Sequence, residues 1–285
     1  MLLEHKRDLS DRAKLIALKL FDNCNTRIST EIPLKERKPG VYHIHFDKPS
    51  LSNGLLRASI FGIDQIVACL AEVDGCGVNR RGSMGDTPLG WAARNGHEEV
   101  VKLLLDRDDI DPNKPGGDGE TPLLLAICGG HEGAVKVLLE RDDVNPNATD
   151  NEGRIPLWWA ASKRHEKMVK MLLGKDDIDP NKSDNEGRTL LWLTARFGHE
   201  AVVKILLDRD DLDPNKSDNK GQTPLWSAAR SGRPWVVKIL LGRGDVDTNK
   251  RDNKGQTPLQ CAIQYGHDGV IALLQPRASN TRDAA

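Results

Sequence analysis

The chain has 285 residues, of which 38% are apolar and 29% are charged, and its formal net charge is −1. A balance this close to neutrality argues against a general nucleic-acid-binding protein, which carries a clear basic excess. The five cysteines form no CxxC pair, which argues against a disulfide framework and fits a reducing compartment. The start shows no signal-peptide pattern and the chain has no run of 18 apolar residues. We therefore expect a cytoplasmic protein, with the nucleus as the alternative compartment, and no membrane partner.

The first part of the chain, residues 1–52, does not follow the repeat pattern of the rest. Apolar residues recur at helical spacing between Leu9 and Leu20, which predicts one amphipathic helix. Residues 41–46 predict one short strand. A segment of this size is too short to bury a core of its own, so we expect it to pack on the first repeat or to belong to a larger domain.

From residue 53 to about residue 275 the sequence repeats every 34 residues. The triplet Thr-Pro-Leu that begins at Thr87 returns at that step, and a Gly-His pair and an asparagine keep the same step. The stretch from Asn53 is in register with these units. Seven predicted units follow, beginning near residues 53, 87, 121, 155, 189, 223 and 257. A polar tail, residues 276–285, ends the chain.

Each unit carries the local signals of two helices joined by a turn. Thr87 is a good N-cap and Pro88 a good first helical residue. Gly96 ends that helix in a left-handed turn, and residues 97–105 predict a second helix with acids in its first turn. The prolines and glycines of residues 108–120 break the helix. This last stretch is predicted to be an extended loop or hairpin that leads to the next unit.

Helix, turn, helix and projecting loop, written with T-P-L-x-x-A and G-H, resemble the ankyrin repeat over about residues 53–275. The resemblance implies an all-α solenoid of helix-turn-helix units with projecting loops like β-hairpins, in about seven repeats of 34 residues, one more than the usual 33. It implies a non-catalytic scaffold or protein–protein interaction module that binds a partner protein on its concave face. Nucleic-acid binding, or service as the regulatory arm of an enzyme, is the alternative.

The whole layout also resembles the C-terminal part of fungal NACHT or related STAND-type NTPases, whose sensor half is often an ankyrin array. The chain contains no G-x-x-x-x-G-K-[ST] loop. If this resemblance holds, the chain is the sensor part of a larger NTPase-linked protein.

In ankyrin arrays the concave face is formed by the loops and the ends of the first helices. Carried over position by position, the resemblance gives a set of candidate partner-binding residues: Arg94, Asn95, Arg154, Ser162, Lys163, Arg188, Arg196, Phe197, Lys220, Arg230, Ser231, Gln264 and Tyr265. The basic residues cluster in the middle units, which predicts a partner protein with an acidic segment, bound by a monomer. Phe197 and Tyr265 are of the type that anchors interfaces. Solvated charge is the alternative interpretation of each basic residue taken singly.

Tryptophan takes the position after Thr-Pro-Leu in three consecutive units, where the family usually has histidine. Trp158, Trp192 and Trp226 are interpreted as packing between neighbouring repeats, stacked as a ladder of rings, with a ligand platform as the alternative. Trp235 is expected to fold against a neighbouring helix, with a contact on the outer face as the alternative.

The sequence offers no catalytic constellation, so we expect no enzyme activity, no metal and no cofactor. His43 and His45 form a pair without further ligands. Recurring acid pairs such as Asp108-Asp109 are interpreted as a solvated edge. Ile155 cannot cap its helix as threonine does in other units, which predicts a weak repeat and a gain of stability on Ile155→Thr.

Overall fold

The computed structural model describes residues 51–72, 76–82 and 85–275. The predicted helix between Leu9 and Leu20, the predicted strand at 41–46 with His43 and His45, and the polar tail therefore lie outside the described residues. The chain divides between Asn151 and Glu152 into two compact units.

The two units consist of paired helices. In the first unit these are α1 (Leu51–Phe61), α2 (Asp64–Ala71), α3 (Pro88–Asn95), α4 (Glu98–Leu105), α5 (Pro122–Gly129) and α6 (Glu132–Leu139). In the second unit they are α7 (Pro156–Ser162), α8 (Glu166–Leu173), α9 (Leu190–Phe197), α10 (Glu200–Leu207), α11 (Pro224–Arg230), α12 (Pro234–Leu241), α13 (Pro258–Gln264) and α14 (Asp268–Leu274). Odd-numbered helices are the first helices of their repeats. Together with the 34-residue step, these pairs confirm the predicted all-α repeat solenoid.

Local chemistry sets the helix ends as the sequence predicts. The Thr223 hydroxyl accepts a hydrogen bond from the Trp226 amide at the start of α11, and Thr87 caps α3 in the same way. Gly96 ends α3 in the left-handed conformation with φ of 74°. Ile155 offers no side-chain cap to α7, and the turn after α7 places Arg164 at φ 61°. The repeat that begins at residue 155 thus lacks two local stabilising features that its neighbours have.

The loops close on themselves much as hairpins do, although no β-strand occurs in the described ranges. The Asp218 amide donates to the Gln222 carbonyl at 3.1 Å, and Asp252 pairs with Gln256 at 3.0 Å. In the second unit these closures hold the residue before each threonine cap beside the first helix.

An asparagine joins each loop to the next within a unit. The Asn215 side-chain amide donates to the Asp245 carbonyl at 2.6 Å, and its carbonyl accepts from the Asp247 amide at 2.7 Å. The same asparagine clamp recurs at Asn79 and Asn113 in the first unit and at Asn181 in the second. Its side chain satisfies two backbone groups of an extended segment that no ladder would otherwise satisfy.

Candidate functional site

The predicted binding surface of the second unit consists of two rows of side chains. The loop row is the residue before each cap: Arg154, Arg188, Gln222 and Gln256. The helix row lies near the end of each first helix: Ser162, Arg196, Arg230 and Gln264. In the last repeat the two rows touch, because the Gln256 amide donates to the Gln264 side-chain oxygen at 2.9 Å.

Tryptophan rings lie beneath the arginines of both rows. The guanidinium carbons of Arg188 and Arg196 are 5.8 and 5.4 Å from the centroid of the Trp192 ring. Arg230 lies 5.6 Å from the Trp226 ring and 5.1 Å from the Tyr265 ring. A guanidinium at this distance from an aromatic face is held by cation–π attraction. The aromatic rings therefore restrict the positions of these guanidinium groups.

The loop-row arginines have carboxylate partners. Arg188 binds Asp184 at 2.7 Å and Glu186 at 3.2 Å, and the Asp184 side chain is almost fully buried. Arg154 binds Glu152 and lies 4.3 Å from the Trp159 ring centroid. These two arginines are partly committed to the fold.

Arg196 and Arg230 differ from them, since both are exposed and neither has a carboxylate within 4 Å among the residues that the structure describes. Their aromatic neighbours Phe197 and Tyr265 are 47% and 46% exposed. Within the described part of the chain, the helix row thus presents two positive charges without a carboxylate partner, next to two aromatic side chains that are about half exposed.

The corresponding arginine of the first unit has two carboxylate partners. Arg94 lies over the Trp91 ring and binds Asp86 at 2.9 Å and Glu120 at 3.3 Å. Both carboxylates are buried, and burial raises the pKa of Asp86 while the charge of Arg94 opposes the rise. Here the arginine belongs to the interior of the loop region.

Several other predicted site residues make local contacts. The Asn95 side-chain amide donates to the Ile60 carbonyl at 3.0 Å, and the Ser162 hydroxyl donates to the Trp159 carbonyl at 3.0 Å. Lys163 lies 5.9 Å from the Trp159 ring centroid. Lys220 is exposed at a loop tip, and Ser231 is half-buried at the end of α11. Of the predicted cationic residues, Arg196 and Arg230 are the two that are both exposed and held on tryptophan rings.

The predicted ladder of stacked rings is wrong. Trp192 and Trp226 are buried, which fits packing between repeats, but no ring pair joins Trp158, Trp192 and Trp226 in the described part of the second unit. Guanidinium groups lie against the rings instead. The indole N–H groups of all three are buried without a hydrogen-bond acceptor among the described residues. Packing and cation–π contact hold the rings.

Trp235 does not fold against a neighbouring helix as expected. Its side chain is 63% exposed at the start of α12, and the Lys238 ammonium lies 5.4 Å from its ring centroid. Its sequence equivalents on α10 and α14 are Ala201 and Gly269. Neither small residue has the bulk to cover the indole.

Sequence reasoning missed how the arginines are held. Trp192 and Arg196 are four residues apart, as are Trp226 and Arg230, so each pair shares one helix face. That spacing was the available signal. The acid pairs were likewise interpreted only as a solvated edge, whereas the structure shows Arg209 bound to Asp211 at 2.7 Å. The Arg-x-Asp spacing, repeated at 107, 141 and 243, was the signal for that contact.

In the ranges that the structure describes, no helix has the length and apolar character needed to cross a bilayer. The same residues contain no cluster of three histidine, cysteine, aspartate or glutamate side chains arranged to hold a metal ion.

Paired helices that recur every 34 residues, with loops clamped to one another, define a helical repeat protein. The family model described as Ankyrin repeats (3 copies) matches residues 41–116, 108–184 and 177–252, so the chain belongs to the ankyrin-repeat family. Ankyrin repeats generally mediate protein–protein interaction. No curated protein matches the chain with significant similarity. The resemblance to NACHT and STAND-type proteins has no support from these comparisons and stays a prediction.

Proposed function

We propose that the second unit binds an acidic segment of a partner protein, which makes the chain a non-catalytic recognition module or scaffold. One observation carries the proposal: Arg196 and Arg230 are exposed, held on aromatic rings and without a carboxylate partner among the described residues. The binding face consists of the loop and helix rows, which the family resemblance makes concave.

Ordered, unpaired guanidinium groups favour a carboxylate ligand over simple solvation. Arginine presents a planar fork of donors that matches a carboxylate in two parallel hydrogen bonds. Because the Trp192 and Trp226 rings already restrict the two side chains, less conformational entropy is lost when a ligand binds. The exposed parts of the Phe197 and Tyr265 rings add apolar area of the kind that dominates interface energetics.

The experiment is affinity capture from the source cell with three baits: wild type, Arg196→Glu/Arg230→Glu and Lys170→Glu/Lys204→Glu. The control pair makes the same change of charge at two exposed lysines on α8 and α10. We expect wild type and control to recover a shared set of proteins that the arginine variant loses. Recovery of the same proteins by all three baits would show that the surface is misassigned.

We also propose that the chain is part of a larger protein. The resemblance to NACHT and STAND-type NTPases makes the chain the sensor part of a larger NTPase-linked protein. Sequencing the complete gene tests this directly, because a G-x-x-x-x-G-K-[ST] loop upstream of the repeats would support the assignment and a gene without one would refute it.

A further inference from the structure

Resting on the proposed function, we infer the form of the bound segment. It is an extended chain close to polyproline II, with carboxylates three residues apart. One carboxylate binds Arg196 and the next binds Arg230, in the positions that acidic side chains of the chain itself occupy around Arg94.

The first unit supplies the template for the contact. Arg94 receives one carboxylate from the loop row of its own repeat, Asp86 at 2.9 Å, and one from the loop row of the following repeat, Glu120 at 3.3 Å. The Trp91 ring lies 5.5 Å from the guanidinium. An arginine at this helix position, packed on a tryptophan ring, can therefore bind two carboxylates that approach it from the loop row.

The second unit keeps the arginine, takes its ring from the preceding position of the repeat, and replaces the acids. For Arg196, the two loop-row positions hold Arg188 and Gln222. For Arg230, they hold Gln222 and Gln256, and the Gln256 amide is already bonded to Gln264. Neither glutamine carries a charge, and Arg188 is itself a cation that already binds Asp184 and Glu186. Since no carboxylate of the described residues lies at these two sites, we assign the carboxylates to the ligand.

The spacing of the two sites selects the backbone form of the ligand. The axes of packed helices lie about 8–10 Å apart, and α9 packs on α11, so we take a similar step between Arg196 and Arg230. In polyproline II, residues i and i+3 lie on the same side, about 9 Å apart. Same-side residues of a β-strand recur every ~7 Å, and those one turn apart on an α-helix lie ~5–6 Å apart. The i, i+3 spacing of polyproline II fits best.

The width of the surface also favours an extended chain. Loop row and helix row touch through single side chains, as the Asp86–Arg94 and Gln256–Gln264 contacts show. An α-helix is about 10–12 Å across, so it is too wide to contact the loop row and the helix row along their length. An extended backbone can follow the strip, with prolines between its acids against Tyr265, which lies 5.1 Å from Arg230.

Three labelled peptides of nine residues, and a helical alanine-rich peptide with glutamates seven residues apart, test the inference by fluorescence anisotropy in low-salt buffer. The spaced peptide has glutamate at every third position with prolines between. The clustered peptide has the same composition with its three glutamates adjacent. The neutral peptide is the spaced one with glutamine for glutamate. We expect the spaced peptide to bind at least ~10-fold more tightly than the clustered one, and Arg230→Glu to remove most of that difference.

The outcomes separate the two proposals. Equal binding of spaced and clustered peptides, or tighter binding of a helical alanine-rich peptide with glutamates seven residues apart, overturns the extended geometry and leaves the acidic segment intact. If neither glutamate peptide binds while the capture experiment succeeds, the present inference is wrong. If capture also fails, the proposed function is wrong as well. The Lys170→Glu/Lys204→Glu variant, with its circular dichroism matched to wild type, controls for charge and folding.

Discussion

Arg94 in the first unit and Arg230 in the second occupy the same position of the repeat, and their surroundings are opposite. Arg94 is bound by two buried carboxylates, whereas Arg230 is exposed over Trp226 and Tyr265. The helices, caps and turns around them are alike. The comparison teaches that the frame of the repeat is constant. The loop-row residue decides whether an arginine is paired with carboxylates of its own unit or is left exposed.

The sharpest test of this comparison is to remove each arginine in turn. Arg94→Ala leaves Asp86 and Glu120 buried without their cation, which we expect to cost roughly 3–5 kcal/mol of unfolding free energy. Arg230→Ala removes an exposed charge and should change stability by less than about 1 kcal/mol. Urea denaturation followed by circular dichroism measures both. Equal losses in the two variants would abolish the distinction between the units.

The loss in Arg94→Ala should also depend on pH in a defined direction. Burial raises the pKa of Asp86 in the folded protein, and without Arg94 it rises further. A raised folded-state pKa stabilises the fold at low pH, and that stability is lost as pH rises through the folded-state value. We therefore expect the variant to be closer to wild type at pH 4 than at pH 7.

The second test rebuilds the first unit's chemistry in the second. Gln222 occupies the loop-row position that serves both Arg196 and Arg230, so Gln222→Glu places an internal carboxylate beside both. We expect affinity for the spaced glutamate peptide to fall at least ~10-fold, because the arginines are then occupied. Gln222→Ala is the matched control and should bind nearly as wild type does. Anisotropy titration decides, and unchanged binding by the glutamate variant contradicts the template argument.

Features of the fold and of the candidate site could be predicted from the sequence where they depend on residues close together in the chain. Helix starts at Thr87 and Thr223 and the left-handed turn at Gly96 follow from neighbouring residues, so they were predicted. The Arg94–Glu120 pair joins residues 26 positions apart, in different repeats, so no local pattern announced it. The sequence was therefore enough to name the candidate arginines, but the structure was needed to show which of them are paired with carboxylates.

The third test concerns the weak repeat at the start of the second unit. Arg164 adopts φ 61°, where the first unit has Gly96 and Gly130. A side chain in the left-handed region costs about 1–2 kcal/mol, and part of the gain from glycine is lost to unfolded-state entropy. We expect Arg164→Gly to raise stability by about 1 kcal/mol in thermal unfolding. Arg164→Ala, which keeps a Cβ, should give a clearly smaller gain.

The fourth test isolates the missing cap of α7. Ile155 is buried, so Ile155→Thr gains a cap but loses apolar volume. Ile155→Val loses similar volume without gaining a cap. The threonine variant should therefore exceed the valine variant by about 1 kcal/mol, the usual value of an N-cap. The sequence prediction that Ile155→Thr stabilises the protein relative to wild type stays open to the same melting experiment.

The smallest expected effect is common to both units. Burial lowers the pKa of His131 in the first unit and of His199 in the second. A depressed folded-state pKa gives stability that is present above the unfolded value of about 6.5 and is lost as pH falls below it. His131→Gln/His199→Gln should therefore lose less melting temperature than wild type between pH 7.5 and 5.5. An identical slope in both proteins would count against the histidines as the source.

The asparagine clamp has a consequence for how such a chain can change in length. Asn181 and Asn215 each form hydrogen bonds with backbone groups 30 and 32 positions ahead in the chain. Deleting or duplicating one full period of 34 residues therefore leaves each of these asparagines with an equivalent backbone partner. In the proposed mode of binding, a gene that gains or loses one period therefore changes the number of acidic residues that its product recognises along a ligand, while the contacts between neighbouring repeats stay the same.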